Sequence, residues 1–291
     1  MASGNTTTGS LADSQQLIID SARIVREYEG RWSSCCDVQR LDENSGLSWE
    51  EISLAALSAQ AVTETTELDN PQQIADTMFA ITPTVSGIHM VVTDRVYRRM
   101  PKKVIAKMGS LGQNAIDRKK EEDYLATFAG ATTTLSGTGT TLASGVIDAA
   151  KSRITSNATE PAMGTIVTVL HGFQIKDIQD ELKAGVGTYT IPSGLTEDVF
   201  RKGFQGTVGG TNVYEDGNIA LTATPDARGA VHAREAIVMV QGHSPRTENR
   251  RRPQTGGGAD EVFMYDEYAL GERSAGNWLF GILSDATAPT S

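Results

Sequence analysis

Four histidines, His89, His171, His232 and His243, are the side chains best suited to proton transfer or metal ligation, and they share no metal-ligand spacing. His232-x-x-Glu235, on one turn of a possible helix, is the pair that would put two ligands on one face. It grounds one reading, a small metal-dependent hydrolase, although such a pair without partners more often does capping or surface work. The Gly203–Gly210 run (GFQGTVGG) has the glycines of a phosphate cradle but lacks the Lys and Ser/Thr that should follow, so it is expected to be a glycine-rich turn between strands. Arg250-Arg251-Arg252 could touch phosphate, yet a solvated loop is the commoner meaning. The chain has neither a Gly-x-Ser-x-Gly elbow nor a Walker-type loop. Cys35 and Cys36 are adjacent, a spacing that strains a disulfide, so cytoplasmic synthesis is the default expectation. These residues predict no catalytic site, no metal and no cofactor.

The 291 residues suffice for one large or two modest domains with a buried core. No run approaches the ~18–20 apolar residues of a membrane span. The first residues, MASGNTTTGSLADSQQ, have neither a basic start nor an apolar stretch, so no signal peptide is expected. A net charge of −10 disfavours nucleic-acid recognition by the chain as a whole. Its distribution says more. Residues 94–107 hold Arg95, Arg98, Arg99, Lys102, Lys103 and Lys107 against Asp94 alone, while residues 37–51 hold Asp37, Asp42, Glu43, Glu50 and Glu51 against Arg40. Such blocks either are solvated faces of one molecule or let the basic strip of one copy meet the acids of another.

Residues 1–9 are small, polar and patternless, and a helix is expected over about 11–29, where Ser10 with Asp13 fits a capping box. Ala61–Glu67 (AVTETTE) favours strand but is polar on both faces, so it cannot cross a core and is expected to project. A second extended run at 81–93 alternates Ile88, Met90 and Val92, and the two should form a long excursion that needs a partner surface. Pro101 and Gly130 bracket a helix over Lys102–Ala129, whose apolar face includes Val104, Ile105, Met108, Leu111, Ile116, Leu125 and Phe128. Its seven consecutive charges, Asp117–Asp123, predict a solvated stretch. Residues 130–141 read as a linker, Leu142–Ile154 as a helix, Thr165–Leu170 as a buried strand, and Gln174–Leu182 as a short helix. Ala233–Val240 reads as a helix running into a strand, residues 246–258 as irregular, and Glu261–Tyr265 and Trp278–Leu283 as closing strands. The sum is an α+β protein.

Taken in order, these features resemble the major capsid protein of tailed bacteriophages over essentially the whole chain. The resemblance rests on EDYL ending the long helix, LASGVIDAAKSRI, TIVTVLHGFQIKDIQDEL, GTVGGTNVYE, VHAREAIVMV and DEVFMYDEYALGERSAGNWLFGILSDA. Its specificity lies in their order and spacing, and Gly172 stands where many members have Pro. It implies the Hong-Kong-97-like capsid fold: an N-arm at 1–57, an E-loop hairpin at 58–100, a peripheral domain at 101–183 with a spine helix at 102–129, an axial domain at 184–245, and a return of the peripheral domain at 246–291. It further implies self-assembly into hexamers and pentamers of an icosahedral shell enclosing double-stranded DNA, in a virion assembled in the host cytoplasm. Expected partners are other copies, a portal, and separate scaffolding and decoration proteins, with no membrane. Arg95, Arg98, Arg99, Lys102 and Lys103, with Glu64, Glu67 and Asp69 of the hairpin, are the expected subunit-interface residues. Residues 58–100 hold no lysine, so the Lys–Asn crosslink of some members is not expected. An encapsulin-like compartment on the same fold is the alternative within the resemblance.

Overall fold

In the computed structural model, which describes residues 30–42, 46–65, 71–99, 102–186, 206–255, 257–274 and 276–290, apolar strands and amphipathic helices follow one another in a mixed order. The first elements are α1 (Trp32–Cys35), β1 (Asp37–Arg40), β2 (Trp49–Leu54), β3 (Asp76–Ile81), β4 (Thr84–Thr93), α2 (Asp94–Arg99) and α3 (Lys102–Ala129). Next come β5 (Thr134–Ser136), α4 (Ser144–Thr155), β6 (Ile166–Leu170), α5 (Gly172–Val186), β7 (Thr207–Val208) and β8 (Thr211–Glu215). The chain closes with β9 (Asp226–Ala233), β10 (Ile237–Gln241), β11 (Arg246–Arg252), β12 (Ala259–Glu272) and β13 (Leu279–Asp285). No helix among the described residues is long and apolar enough to cross a membrane. The helix expected at 11–29 and the Pro101 cap lie outside the described residues.

Two sheets carry most of the chain. In the first, β12 is central: β4 runs antiparallel along one edge over residues 259–268, and the other edge takes β11 and then β10, with β1 parallel to β10 beyond. The second has the order β5-β13-β9-β6-β8-β7. Its strand β6 (IVTVL) is buried at every position because α4 and α5 bring Ile147, Ala150, Ile154, Ile175 and Ile178 into the same core. That core continues through Tyr124 and Phe128 of α3 to Met239 and Tyr268 of the first sheet. The pairing crosses the segment boundaries expected at 183/184 and 245/246, since β6 and β13 share a sheet with β8 and β9.

The long helix α3 has the expected bounds, and at about 1.5 Å per residue it spans about 40 Å. Its charged stretch is solvated only in part: Asp117, Arg118, Lys119 and Glu122 are exposed as expected. Lys120 and Glu121 are buried, with exposures of 5% and 0%. Ile116, Lys120, Tyr124 and Phe128 recur every fourth residue, one inward stripe, so the ammonium is carried into the core and meets buried Asp266 at 2.5 Å. Lys120 also lies 5.3 Å from the Trp32 ring and 5.4 Å from the Tyr268 ring. Gly112 is where the helix approaches β12: a Cβ there would stand 2.5 Å from the Met264 sulfur.

Three further expectations are corrected. The segment expected to be irregular, 246–258, contains the seven-residue strand β11. Every β11 residue is exposed at the sheet edge, so no apolar alternation marked it, and its arginines suit an edge that must not recruit other strands. Ala233 ends a strand rather than starting a helix, and a 3-10 turn at Arg234–Ala236 leads into β10. The projecting hairpin is built from β2 and β3, not from 61–67 and 81–93. Residues 84–93 instead dock along β12 of the same chain.

Candidate subunit interface

The hairpin owes its shape to two-residue periodicity. β2 and β3 pair antiparallel from Trp49↔Ile81 to Leu54↔Asp76, which sorts their side chains onto two faces. One face holds the arm to its own body. Ile81 is buried with Val238 and Val240, Trp49 meets Phe79 edge-on with centroids 6.3 Å apart, and Glu51 accepts a hydrogen bond from Arg273 Nε at 2.7 Å. Arg273 also donates to Asp37 at 3.0 Å and to the Glu235 carbonyl at 2.7 Å, tying the hairpin base to β1 and the 3-10 turn. Gly271 leaves room for this face, since a Cβ there would sit 2.7 Å from Ile81 Cδ1.

The opposite face has no such cover among the described residues. Ile52, Leu54 and Met78, with Ile52 directly across from Met78, are 61%, 69% and 65% exposed. Leu57, Val62 and Ile74 continue the exposed apolar surface past the strands, where Gln72 bonds the Ser58 backbone and side chain and holds the two legs together. The open side therefore carries an exposed apolar row beside Glu50 and Asp76, whereas the run expected to be polar on both faces, Ala61–Glu67, is not part of the paired strands. Exposed apolar side chains in a continuous row are a docking feature.

The expected interface charges divide in the structure. Arg95, Arg98 and Arg99 lie exposed on α2 around buried Val96. Lys102 and Lys103 lie in the first turn of α3, where a helix gains nothing from cations. Glu64 is exposed in a turn at the far end of the hairpin, while Glu67 and Asp69 lie outside the described residues. Asp94, the one acid of the basic strip, is engaged within the chain: Arg251 of β11 binds both its carboxylate oxygens and lowers its pKa. Arg251 also reaches Asp260 at 3.0 Å. This pairing brings the arginines of β11 beside α2, where Arg252 in turn pairs with Glu261 at 2.8 Å. The signal that could have found them is that four arginines in seven residues suit an edge strand as well as a loop. Sequence reasoning also missed a row on the sheet face away from α3, where His89 stacks on Phe263 at 4.3 Å, Phe263 lies 6.1 Å from Tyr265, and Arg246 covers Tyr265.

The residues weighed for catalysis are used structurally. His232 is fully buried, with Nδ1–H donating to the Ala233 carbonyl at 2.8 Å and Nε2 accepting from the Tyr124 hydroxyl at 2.8 Å. Burial pushes its pKa down to about 4, so the ring is neutral, and both nitrogens are occupied. It is not placed to bind a metal with Glu235, and no cluster of three or more metal-ligating side chains occurs among the described residues. The described part of the glycine run is the turn between β7 and β8, where Gly209 and Gly210 take φ of 54° and 79°, as a two-residue hairpin requires. Cys35 and Cys36 are buried free thiols, and burial raises the pKa of Cys35 to about 12, which leaves it unreactive.

No family model matches the chain, and no curated protein matches its sequence. Solved structures do. The cyanophage Pam1 capsid asymmetric unit aligns with a TM-score of 0.75 at 10% identity, over 99% of this chain and 100% of that one. A chain of Mycobacterium phage Che8 aligns with a TM-score of 0.72 at 14% identity, over 92% and 96%. The head structure of Helicobacter pylori bacteriophage KHP40 gives 0.70 at 11%, over 98% and 100%. The fold is that of phage capsid subunits. Coverage near the full length of both chains leaves the hairpin, α3 and both sheets within one capsid fold, the Hong-Kong-97-like architecture expected from the order of sequence features. At these identities the likeness lies in the backbone and not in retained side chains.

Proposed function

We propose that this chain is the major capsid protein of a tailed phage, a structural subunit that closes an icosahedral shell from hexamers and pentamers around double-stranded DNA. The single observation that carries the reading is the hairpin: one face is held to its own body and the other leaves Ile52, Leu54 and Met78 exposed in a row. A row of this kind on an arm leaving the body finds its cover on another molecule, and a ring of copies covers every arm in turn. In this reading α3, with the five-stranded sheet, forms the peripheral domain, and the six-stranded sheet with α4 and α5 forms the axial domain. Arg95, Arg98, Arg99, Lys102 and Lys103 face acids of a neighbouring copy, Glu64, Glu67 and Asp69 among the candidates. Portal, scaffolding and decoration proteins are the other partners, the subunit does no catalysis, and the assembled shell resides in the virion after assembly in the host cytoplasm.

The test is the size and shape of the expressed full chain in sedimentation and electron micrographs. Closed particles of megadalton mass support the reading; a stable monomer or small oligomer under conditions that assemble other shell proteins would sink it. Double-stranded DNA and a tail on particles isolated from an infected host support the phage assignment, whereas cargo protein in place of DNA would point to an encapsulin-like compartment.

A further inference from the structure

Glu121 and Asp216 are both carboxyl groups, both fully buried, and they meet where three separate parts of the chain converge. Glu121 projects from α3 and its Oε2 accepts the Trp32 backbone N–H at 2.9 Å. Gly30 lies so close that any side chain there would collide with the same carboxylate. Asp216 follows β8 directly; its backbone N–H bonds the Leu170 carbonyl at the end of β6, and its Oδ1 accepts the Asn218 N–H at 2.8 Å. Among the described residues, Glu121 Oε1 and Asp216 Oδ2 are left without a donor from any other group. Two ionised carboxylates cannot satisfy one another, and two buried negative charges in contact would repel strongly. One proton between them satisfies both oxygens and removes one charge.

Among the described residues, no cation is placed to replace that proton. From the α1 side, Arg31 directs its Nε to the Glu215 carbonyl at 3.3 Å, and Cys35 and Cys36 present thiols held neutral by burial. On α3, Tyr124 is likewise held neutral, and the Lys120 ammonium is committed to Asp266. Beyond Asp216, His171 faces Glu215 and Asp216 with its pKa lowered by burial. Asp37 and Arg234 act on Cys36 from the outer side.

We propose that Glu121 and Asp216 share one proton and act as a pH-operated latch that clamps the segment Gly30–Cys36 between the long helix and the six-stranded sheet. The latch stands on contacts within one chain and holds whether or not the chain assembles. Burial first, and Asp216 second, push the Glu121 pKa from its ordinary 4.5 up to about 8. A raised pKa in the closed form means that closure is strongest below about pH 4.5 and is lost progressively as pH rises to about 8. The opening equilibrium of this segment then rises by up to about tenfold per pH unit across that window and levels off above it.

Cys35 and Cys36 are the only cysteines and lie in the clamped segment, so they report its opening. The experiment follows the reaction of the full native chain with 4,4′-dithiodipyridine from pH 5 to pH 9, divided at each pH by the rate for the chain unfolded in urea, which removes thiol ionisation. The expected result is a ratio that climbs by orders of magnitude up to about pH 8 and then flattens in the wild type. In Glu121→Gln, which keeps a neutral hydrogen-bonding group, the ratio should barely change with pH. Asp216→Asn is the second variant, and circular dichroism establishes that each is folded. A flat ratio in the wild type, or an equal climb in a folded variant, would overturn the latch.

Discussion

Replacing Ile52, Leu54 and Met78 together by Ser should cripple assembly and leave the fold intact. Each side chain is already about two-thirds exposed in the single chain, at 61%, 69% and 65%, so folding uses little of it. Exposed substitutions of this kind change stability by about 0.5 kcal/mol or less each. Docking against a neighbour would bury what remains. Full burial of an aliphatic or Met side chain is worth roughly 1.5–3 kcal/mol, so two-thirds of it gives about 1–2 kcal/mol each, or about 3–6 kcal/mol per copy. At about 1.4 kcal/mol per factor of ten, the triple variant needs on the order of a hundred to ten thousand times more subunit before particles appear. Light scattering against subunit concentration reads that threshold, and circular dichroism melting of the unassembled fraction reads the fold. Particles forming at the wild-type threshold would refute the reasoning, because the open face of the hairpin would then be idle.

Lys120→Met should destabilise the chain by about 3–5 kcal/mol in urea unfolding, because it strands the buried Asp266 carboxylate, and adding Asp266→Leu should recover most of the loss. His232 resists protonation down to about pH 4, whereas an unfolded His takes its proton near pH 6.5. Its contribution is therefore complete above pH 6.5 and falls by about 3 kcal/mol as pH drops to 4, so the acid limb of stability should be shallower in His232→Gln, measured by denaturant midpoints across that range. Arg95→Glu combined with Arg98→Glu should lower particle yield without moving the melting temperature of the subunit, as both side chains are exposed on α2.

The fold was most legible where burial imposes a period. The apolar positions of α3, with a stop at Gly130, set its far end, and the β6 run, apolar but for Thr168, announced a strand covered on both faces. The burial of Lys120 is hidden because seven adjacent charges obscure which of them falls on the inward stripe; Ile116, Tyr124 and Phe128, four residues before and four and eight after it, hold that information. β11 was illegible because an edge strand exposed along its whole length needs no apolar residue, and its partner β12 supplies the register. The arm was foreseen but misplaced. AVTETTE favours extended backbone, yet the paired strands are WEEISL and DTMFAI, whose inward face carries Trp49, Phe79 and Ile81. Of the charges proposed for the interface, Arg95, Arg98 and Arg99 stand as a block in the sequence, whereas the Arg251–Asp94 contact that brings β11 beside them joins residues far apart in sequence.

The docking of the hairpin is tested most directly by a photo-crosslinking amino acid, benzoylphenylalanine, placed at position 78 and irradiated in assembled particles. Crosslinks from that position into a different copy, seen as a ladder of covalent multimers on a denaturing gel, are the predicted result. Crosslinks confined to the chain that carries the label, in particles that are otherwise complete, would contradict it.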